Sequence, residues 1–545
     1  MGMLLRLSLV ACILIAADAI ASTTHYIAGN GSDSNTGASK SSPWLHAPGM
    51  RGCSSNCASY SPNPGDQFIF RGGDTWHYST GSPIGLPWTW TWSGTSGNNV
   101  YLGVDETWYS GSSFARPILT MDNPISATLV SSCIYDDTAL TGATVSASYV
   151  TLDDFEFTGK CWTGDPTGTR STTLNIINAT HSLITRNYFH GWSATSSAID
   201  AHRTIYASLA YTPTYNEIDH NVIDGSDTFH GTTSGQCSGS VNGPPCQVGF
   251  GVYGGGYNFH HNILRYLSNG IIANDLVNVH DNVFEYMWNS YMQSPWTHPN
   301  VVESGTGNIS GVPTYFYNNV IRHTRQNVTK WVMFDRQLYE FNNVYYDNFG
   351  GSIDCLEYQP DTTASTPVLY FYNNTLDASS VGNDPCLFSY NGGSPAWSGT
   401  ANYRNNHIIG SGGTTIASMT YCQSGAVCTN NNDLGSETFQ TESVANGQGY
   451  TSNNNYGPTA GGATIGAGAN LTSSCATFSG DGSLCSGTSL GVLEQAGQGG
   501  YTAVSPGVSI VPRPSNGGWD SGAYQYDSGQ SGPPSPPTGL TATVH

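Results

Sequence analysis

The chain has 545 residues, of which only 10% are charged, against 66 glycines and 12% aromatics. That balance argues against long charged helices and favours β structure with many turns. A formal net charge of −21 disfavours a nucleic-acid partner or an anionic membrane surface, although an acidic surface also offers sites for divalent cations.

Residues 1–21 read as a secretory signal peptide: Arg6 lies near the start, an apolar run covers 7–17, and Ala19-Ile20-Ala21 supplies a small-x-small cleavage site. Leu9-Val10-Ala11-Cys12 is an alternative lipoprotein processing box that would anchor the chain at Cys12, but the residues after it stay apolar instead of forming a polar tether. No other stretch is long and apolar enough to span a bilayer. A secreted, extracellular protein without membrane insertion is expected, acting as a monomer. Without Cys12, twelve cysteines remain as near neighbours, Cys53/Cys57, Cys133/Cys161, Cys237/Cys246, Cys355/Cys386, Cys422/Cys428 and Cys475/Cys485. In an exported chain these read as loop-stapling disulfides, with local pairing adopted because connectivity is not deducible from sequence. Zinc is the alternative, but no tight Cys-x-x-Cys pair supports it.

The mature start carries Tyr26-Ile27-Ala28-Gly29-Asn30-Gly31-Ser32-Asp33-Ser34-Asn35-Thr36-Gly37, then Ser42-Pro43-Trp44, then Pro64-Gly65-Asp66-Gln67-Phe68-Ile69-Phe70-Arg71-Gly72-Gly73. This resembles the opening of secreted bacterial right-handed parallel β-helix proteins of the pectin-lyase-like superfamily. The resemblance implies an all-β fold of three-strand coils, covered at its open end by a short N-terminal capping helix within 42–50. Tyr101-Leu102-Gly103-Val104-Asp105 with Arg116-Pro117-Ile118-Leu119 resembles the second coil. Residues 149–157 resemble a later one, with Asp154 where glycine is usual. The run Trp88-Thr89-Trp90-Thr91-Trp92 alternates like a strand that either binds a glycan or covers the first coils.

From residue 185 one motif keeps returning: an apolar residue, one or two polar residues, an asparagine, then two mostly apolar residues. Its aligned asparagines are Asn187, Asn221, Asn262, Asn282, Asn319, Asn343, Asn374 and Asn406, separated by 34, 41, 20, 37, 24, 31 and 32 residues. Asparagine tolerates the left-handed backbone, and its amide bonds to neighbouring backbone, while the Val, Ile, Phe and Tyr flanks suit strands. A minimum period near 20 with insertions is the signature of a solenoid whose coils carry loops on one side. The asparagine ladder then marks the bend between the second and third strands of each coil. The histidines beside it, His220, His260, His261 and His280, read as structural.

Coils become irregular from about residue 411, with weak strands at 464–465 and 490–493. Residues 517–526 resemble the ending common to these domains, which places one β-helix domain at 22–527. Residues 528–545 form a Pro-rich linker and the first strand of a truncated fibronectin type III-like module.

Function does not follow from such a fold, but in superfamily enzymes the cleft lies along the first-strand sheet beneath long loops. First strands are expected at 197–202, 249–253, 270–275, 300–304, 330–336 and 352–358. Polar residues on them and in the loops nominate a substrate-binding set of Asp200, His202, Tyr253, Asn274, Asp275, Asp354 and Glu357, together with Trp288, Tyr291, Trp296 and His298 in an aromatic loop. Stacked strands lie ~4.8 Å apart, so carboxylates on adjacent coils approach the ~5 to 5.5 Å of a retaining glycosidase, and skipping a coil gives ~9.5 Å, near the inverting range. Glu303 with Asp335, on a strand where Val332 and Phe334 point inward, is the leading acid/base pair. A lyase would instead need a base and cations near a uronate carboxyl, and His323, Arg325, Lys330 and Arg336 form the densest basic group. The expected function is polysaccharide cleavage by hydrolysis or β-elimination, with a non-catalytic, adhesin-like glycan binder as the rival. No cofactor is required, and calcium would suit the acidic rows.

Overall fold

A computed structural model describes residues 22–126, 130–134, 141–162, 172–195, 203–207, 214–228, 250–267, 269–273, 278–287, 300–304, 313–324, 328–332, 337–348, 355–359, 368–378, 386–390, 399–412, 415–422, 431–478, 484–487, 493–495, 500–503 and 510–527. Residues 1–21, expected to be a signal peptide, and residues 528–545 lie outside these.

Among the described residues of the three large sheets, strands within one coil do not pair with each other. Each pairs with its equivalent one coil later, always in parallel, which builds sheets of 13, 12 and 11 strands. The strand Asn216–Asp219, for example, sits between Leu183–Thr185 and Tyr257–His260. Three sheets wound from one repeating turn make a right-handed parallel β-helix. The second-strand sheet has 13 strands, from Thr24–Ile27 to Asn431–Asp433. The third-strand sheet has 12, from Thr75–His77 to Thr438–Thr441. The first-strand sheet has 11, from Trp88–Trp90 to Thr420–Cys422. Regular coils therefore continue some 30 residues past 411.

Alternation along each strand sends one set of side chains into the lumen. Columns of equivalent residues fill it: Ile184, Ile218, Phe259, Val279 and Phe316 from the second-strand sheet, and Phe189, Ile223, Leu264, Phe284 and Ile321 from the third, none more than 1% exposed. Trp88 and Trp90 join this core, which decides the alternative left open for the Trp88 run in favour of covering the first coils.

The eight ladder asparagines form one continuous, buried column. The Oδ1 of Asn282 accepts the backbone N–H of Asn262 at 2.9 Å, and the Nδ2 of Asn282 donates to the Phe259 carbonyl at 3.1 Å; the same pattern repeats from Asn187 to Asn406. The bend lies between the second and third strands as expected. The left-handed residue, however, is the one before the ladder asparagine: Arg186, His220, His261, Asp281, Asn318, Asn342, Asn373 and Asn405 all have φ between 51° and 59°. The ladder residue itself is constrained by its amide, not by its backbone tolerance. Asp154 occupies the same bend at φ 66° and is held there by an ion pair of 2.7 Å to buried Arg116.

At the N-terminal end residues 42–50 are non-helical turns; Trp44 packs over the first coil, stacked on His25 at 4.4 Å. The helical turn is Ser55–Ser59, stapled by the Cys53–Cys57 disulfide. Cys133–Cys161 and Cys475–Cys485 are also bonded as expected. Cys355 and Cys386 are register partners on adjacent strands, and the two remaining pairs fall wholly or partly outside the described residues. In the late region 464–465 is a turn, while Leu493–Gln495 pairs antiparallel with Gly500–Ala503.

Candidate active face on the first-strand sheet

Burial sets the parity of the first-strand sheet. Ile205, Val252, Ile271, Val302, Thr329 and Leu356 face the lumen, each fully buried. The residues that follow them form a second row, whose backbone register runs Tyr206, Tyr253, Ile272, Glu303, Lys330, Glu357 and Ser389, and in which Tyr206, Tyr253 and Glu303 are half-buried. Three ionisable residues from different parts of the sequence, Glu303, Lys330 and Glu357, are thus backbone register partners on three consecutive strands.

Glu303 is half-buried, and its carboxylate is oriented from the coil entry. The Nδ2 of fully buried Asn300 donates to Glu303 Oε2 at 3.0 Å, while the Asn300 backbone N–H donates to Asn269 Oδ1 at 3.1 Å. Asn269 and Asn300 thereby form a short second ladder that pins one carboxylate oxygen. Toward the N-terminal end the same row becomes aromatic. The buried Arg203 guanidinium lies 3.6 Å over the Tyr253 ring and 4.6 Å from that of Tyr206, with the rings 6.0 Å apart. A cation held between two half-exposed rings fixes their orientation and gives the row an amphipathic wall suited to stacking on a sugar.

Of the residues nominated from sequence, this row unites Glu303, Lys330, Glu357 and Tyr253. It does not include His323, which sits at the bend after the third strand with φ 54°, stacked on Tyr286 and paired to Asp347 at 2.7 Å. The strand Thr329–Val332 buries Thr329 and Trp331, the opposite parity to the one expected, and the register partner of Glu303 is Lys330, not Asp335. The strand expected at 197–202 lies outside the described residues, while Arg203–Ala207 is a strand of this sheet, with Ile205 in phase with Leu174 and Val252. Asp200, His202, Asn274, Asp275, Trp288, Tyr291, Trp296, His298, Arg325, Asp335, Arg336 and Asp354 lie outside the described residues. Arg203, Tyr206 and Asn300 were missed from sequence; counting back two residues from each buried aliphatic would have found Arg203, and one residue forward would have found Tyr206.

No protein-family model and no curated protein matches the sequence. Among solved structures the chain is similar to the pectate lyase Pel9A at 14% identity, covering 93% of this chain and 98% of that one with a TM-score of 0.41. It is also similar to the GH136 lacto-N-biosidase from Eubacterium ramulus, at 10% identity over 77% and 68% of the two chains with a TM-score of 0.40. The PL6 alginate lyase AlyGC follows at 13% identity over 70% and 49%, with a TM-score of 0.38. No helix among the described residues is long and apolar enough to cross a membrane.

Proposed function

We propose that this chain is an exported, monomeric, carbohydrate-active protein that cleaves polysaccharide along this second row of its first-strand sheet. The observation that carries the reading is the Glu303, Lys330, Glu357 register. Glu303 and Glu357 are two rungs apart, which corresponds to ~9.5 Å along the sheet, at the upper end of the separation used by inverting glycosidases. In that geometry one carboxylic acid gives its proton to the glycosidic oxygen as the bond to the anomeric carbon breaks. The other carboxylate takes a proton from the water that attacks the opposite face. Glu303, held by Asn300, is suited to the fixed role of base. Lys330 between them orients the substrate through its ammonium, and Tyr206 and Tyr253 continue the row as a subsite wall.

The lysine on the middle rung supports a second reading, β-elimination, in which Lys330 removes the proton next to a uronate carboxyl and the leaving oxygen departs with the C–O electron pair. Both readings need no resident cofactor; calcium on the acidic row is a further proposal, tested by running every assay with and without chelator.

A glycan panel scored for new reducing ends and for the ultraviolet absorbance of unsaturated uronate separates the cases. Hydrolysis gives reducing ends without absorbance, and elimination gives both. Glu303→Gln and Glu357→Gln should each lower hydrolysis at least ~100-fold, the scale of general acid–base catalysis, with unchanged circular dichroism. Activity surviving in both Glu variants removes the carboxylate pair, and binding without cleavage anywhere in the panel returns the protein to the adhesin-like class.

A further inference from the structure

Beside the asparagine ladder, the outer surface of the second-strand sheet carries imidazoles from three consecutive coils. His260 and His280 are register partners with rings stacked at 4.8 Å. His261, at the left-handed bend, stacks on His220 at 4.8 Å and meets His280 edge-on at 6.0 Å. Acidic groups face them: His280 Nδ1 lies 2.8 Å from Asp281 Oδ2, and His260 Nε2 lies 2.9 Å from Glu217 Oε2. Donor atoms of His261, His280 and Asp281 all lie within 4.8 Å of one another, on a patch where His280 is buried and the other two half-buried.

We propose that His261, His280 and Asp281 bind a transition-metal dication of the zinc, copper or nickel class. Two imidazole nitrogens with one carboxylate oxygen suit these ions, whereas calcium and magnesium select all-oxygen sites. Metal–ligand bonds of ~2.0–2.2 Å in a tetrahedron hold donors ~3.3 Å apart. Rotation of the half-buried His261 and Asp281 side chains toward buried His280 would close the present spacing to that value. Two imidazole nitrogens of the cluster already stand that close, since His260 Nδ1 and His261 Nδ1 are 2.9 Å apart, and His260 is the nearest group for a fourth position. The ligands come from two successive coils joined by the shortest ladder interval, 20 residues. The ion would therefore cross-link neighbouring coils and, binding only the folded chain, raise its stability. This site is independent of the proposed active face.

The columns themselves supply variants that keep the fold. Asn318 and Asn342 occupy the bend position of His261 and Asp281 on later coils, and Tyr317 continues the His280 column. His261→Asn, Asp281→Asn and His280→Tyr therefore remove ligands while installing residues these positions accept. The full chain, stripped with chelator and dialysed, is titrated with zinc, nickel, copper or calcium chloride by calorimetry, with metal content and melting temperature measured in parallel. One equivalent of zinc, nickel or copper with a raised melting temperature is expected, and any calcium uptake should be the same in the native chain and in His261→Asn. Affinity should fall at least ~100-fold in each ligand variant. His181→Asn, which removes a histidine from a positive-φ position at the opposite end of the second strand two coils earlier, should change nothing. Absence of stoichiometric uptake, or uptake unchanged in His261→Asn and His280→Tyr, overturns the site. Equal loss in His181→Asn does so too, by showing scattered surface binding.

Discussion

Glu340 is an acidic residue in an apolar environment. It sits fully buried in the lumen, in the column where the neighbouring coils place Phe316 and Phe371. The Tyr345 and Tyr358 hydroxyls donate to its two oxygens at 2.6 and 2.8 Å. Desolvation pushes its pKa up from 4.5 to about 7, and the two hydroxyls offset only part of that push. Folded Glu340 thus keeps its proton over a range where the unfolded chain releases it. Stability on this account is full below pH 4.5 and declines as pH rises through 4.5 to about 7, by about 3 kcal/mol in total. Glu340→Gln retains an acceptor for a tyrosine hydroxyl and removes the titration. Urea unfolding from pH 4.5 to 8 should show a declining midpoint for the native chain and a flatter one for the variant; parallel curves would show that other groups set the slope. Nothing at the sequence level singles out Glu340, because a lone glutamate between aromatics reads equally well as an outward strand residue.

At the scale of the element, each bend divides two tasks between adjacent residues. The ladder asparagine satisfies buried backbone groups of neighbouring coils, and the residue before it supplies the left-handed turn. Asn282→Ala would leave the Asn262 N–H and the Phe259 carbonyl buried without their partner, at about 1–3 kcal/mol for each group. Asn318→Gly keeps a residue that adopts positive φ freely and should cost under about 1 kcal/mol. Urea midpoints of the two variants, measured together, check this asymmetry; equal losses would contradict it. Sequence marks the element because the motif is local. Only the backbone shows which of the two neighbouring polar residues carries which task, since both are commonly asparagine in the later coils.

Across the whole molecule, stability is passed from coil to coil, so the ends need fastening. At the C-terminal end the fully buried Arg513 guanidinium donates to the carbonyl oxygens of Asp520, Gly522, Ala523 and Tyr524 at 2.7 to 3.0 Å and to Asn342 Oδ1 at 3.3 Å. Burial lowers its pKa to about 10, which still leaves it charged at neutral pH. Arg513→Met should release residues 513–526 to faster amide exchange and proteolysis, with protection retained in coils before residue 340. Uniform loss along the chain would instead mean that the solenoid unfolds as one unit. By itself the sequence determined the coil and its bend, because alternation and the asparagine motif are short-range patterns read within one turn. Only the tertiary structure decided the register that sets Glu303, Lys330 and Glu357 on successive rungs, placed a strand at 203–207, and left His323 off the row. Those depend on hydrogen bonds between coils, and loops of unequal length conceal that pairing from the linear chain.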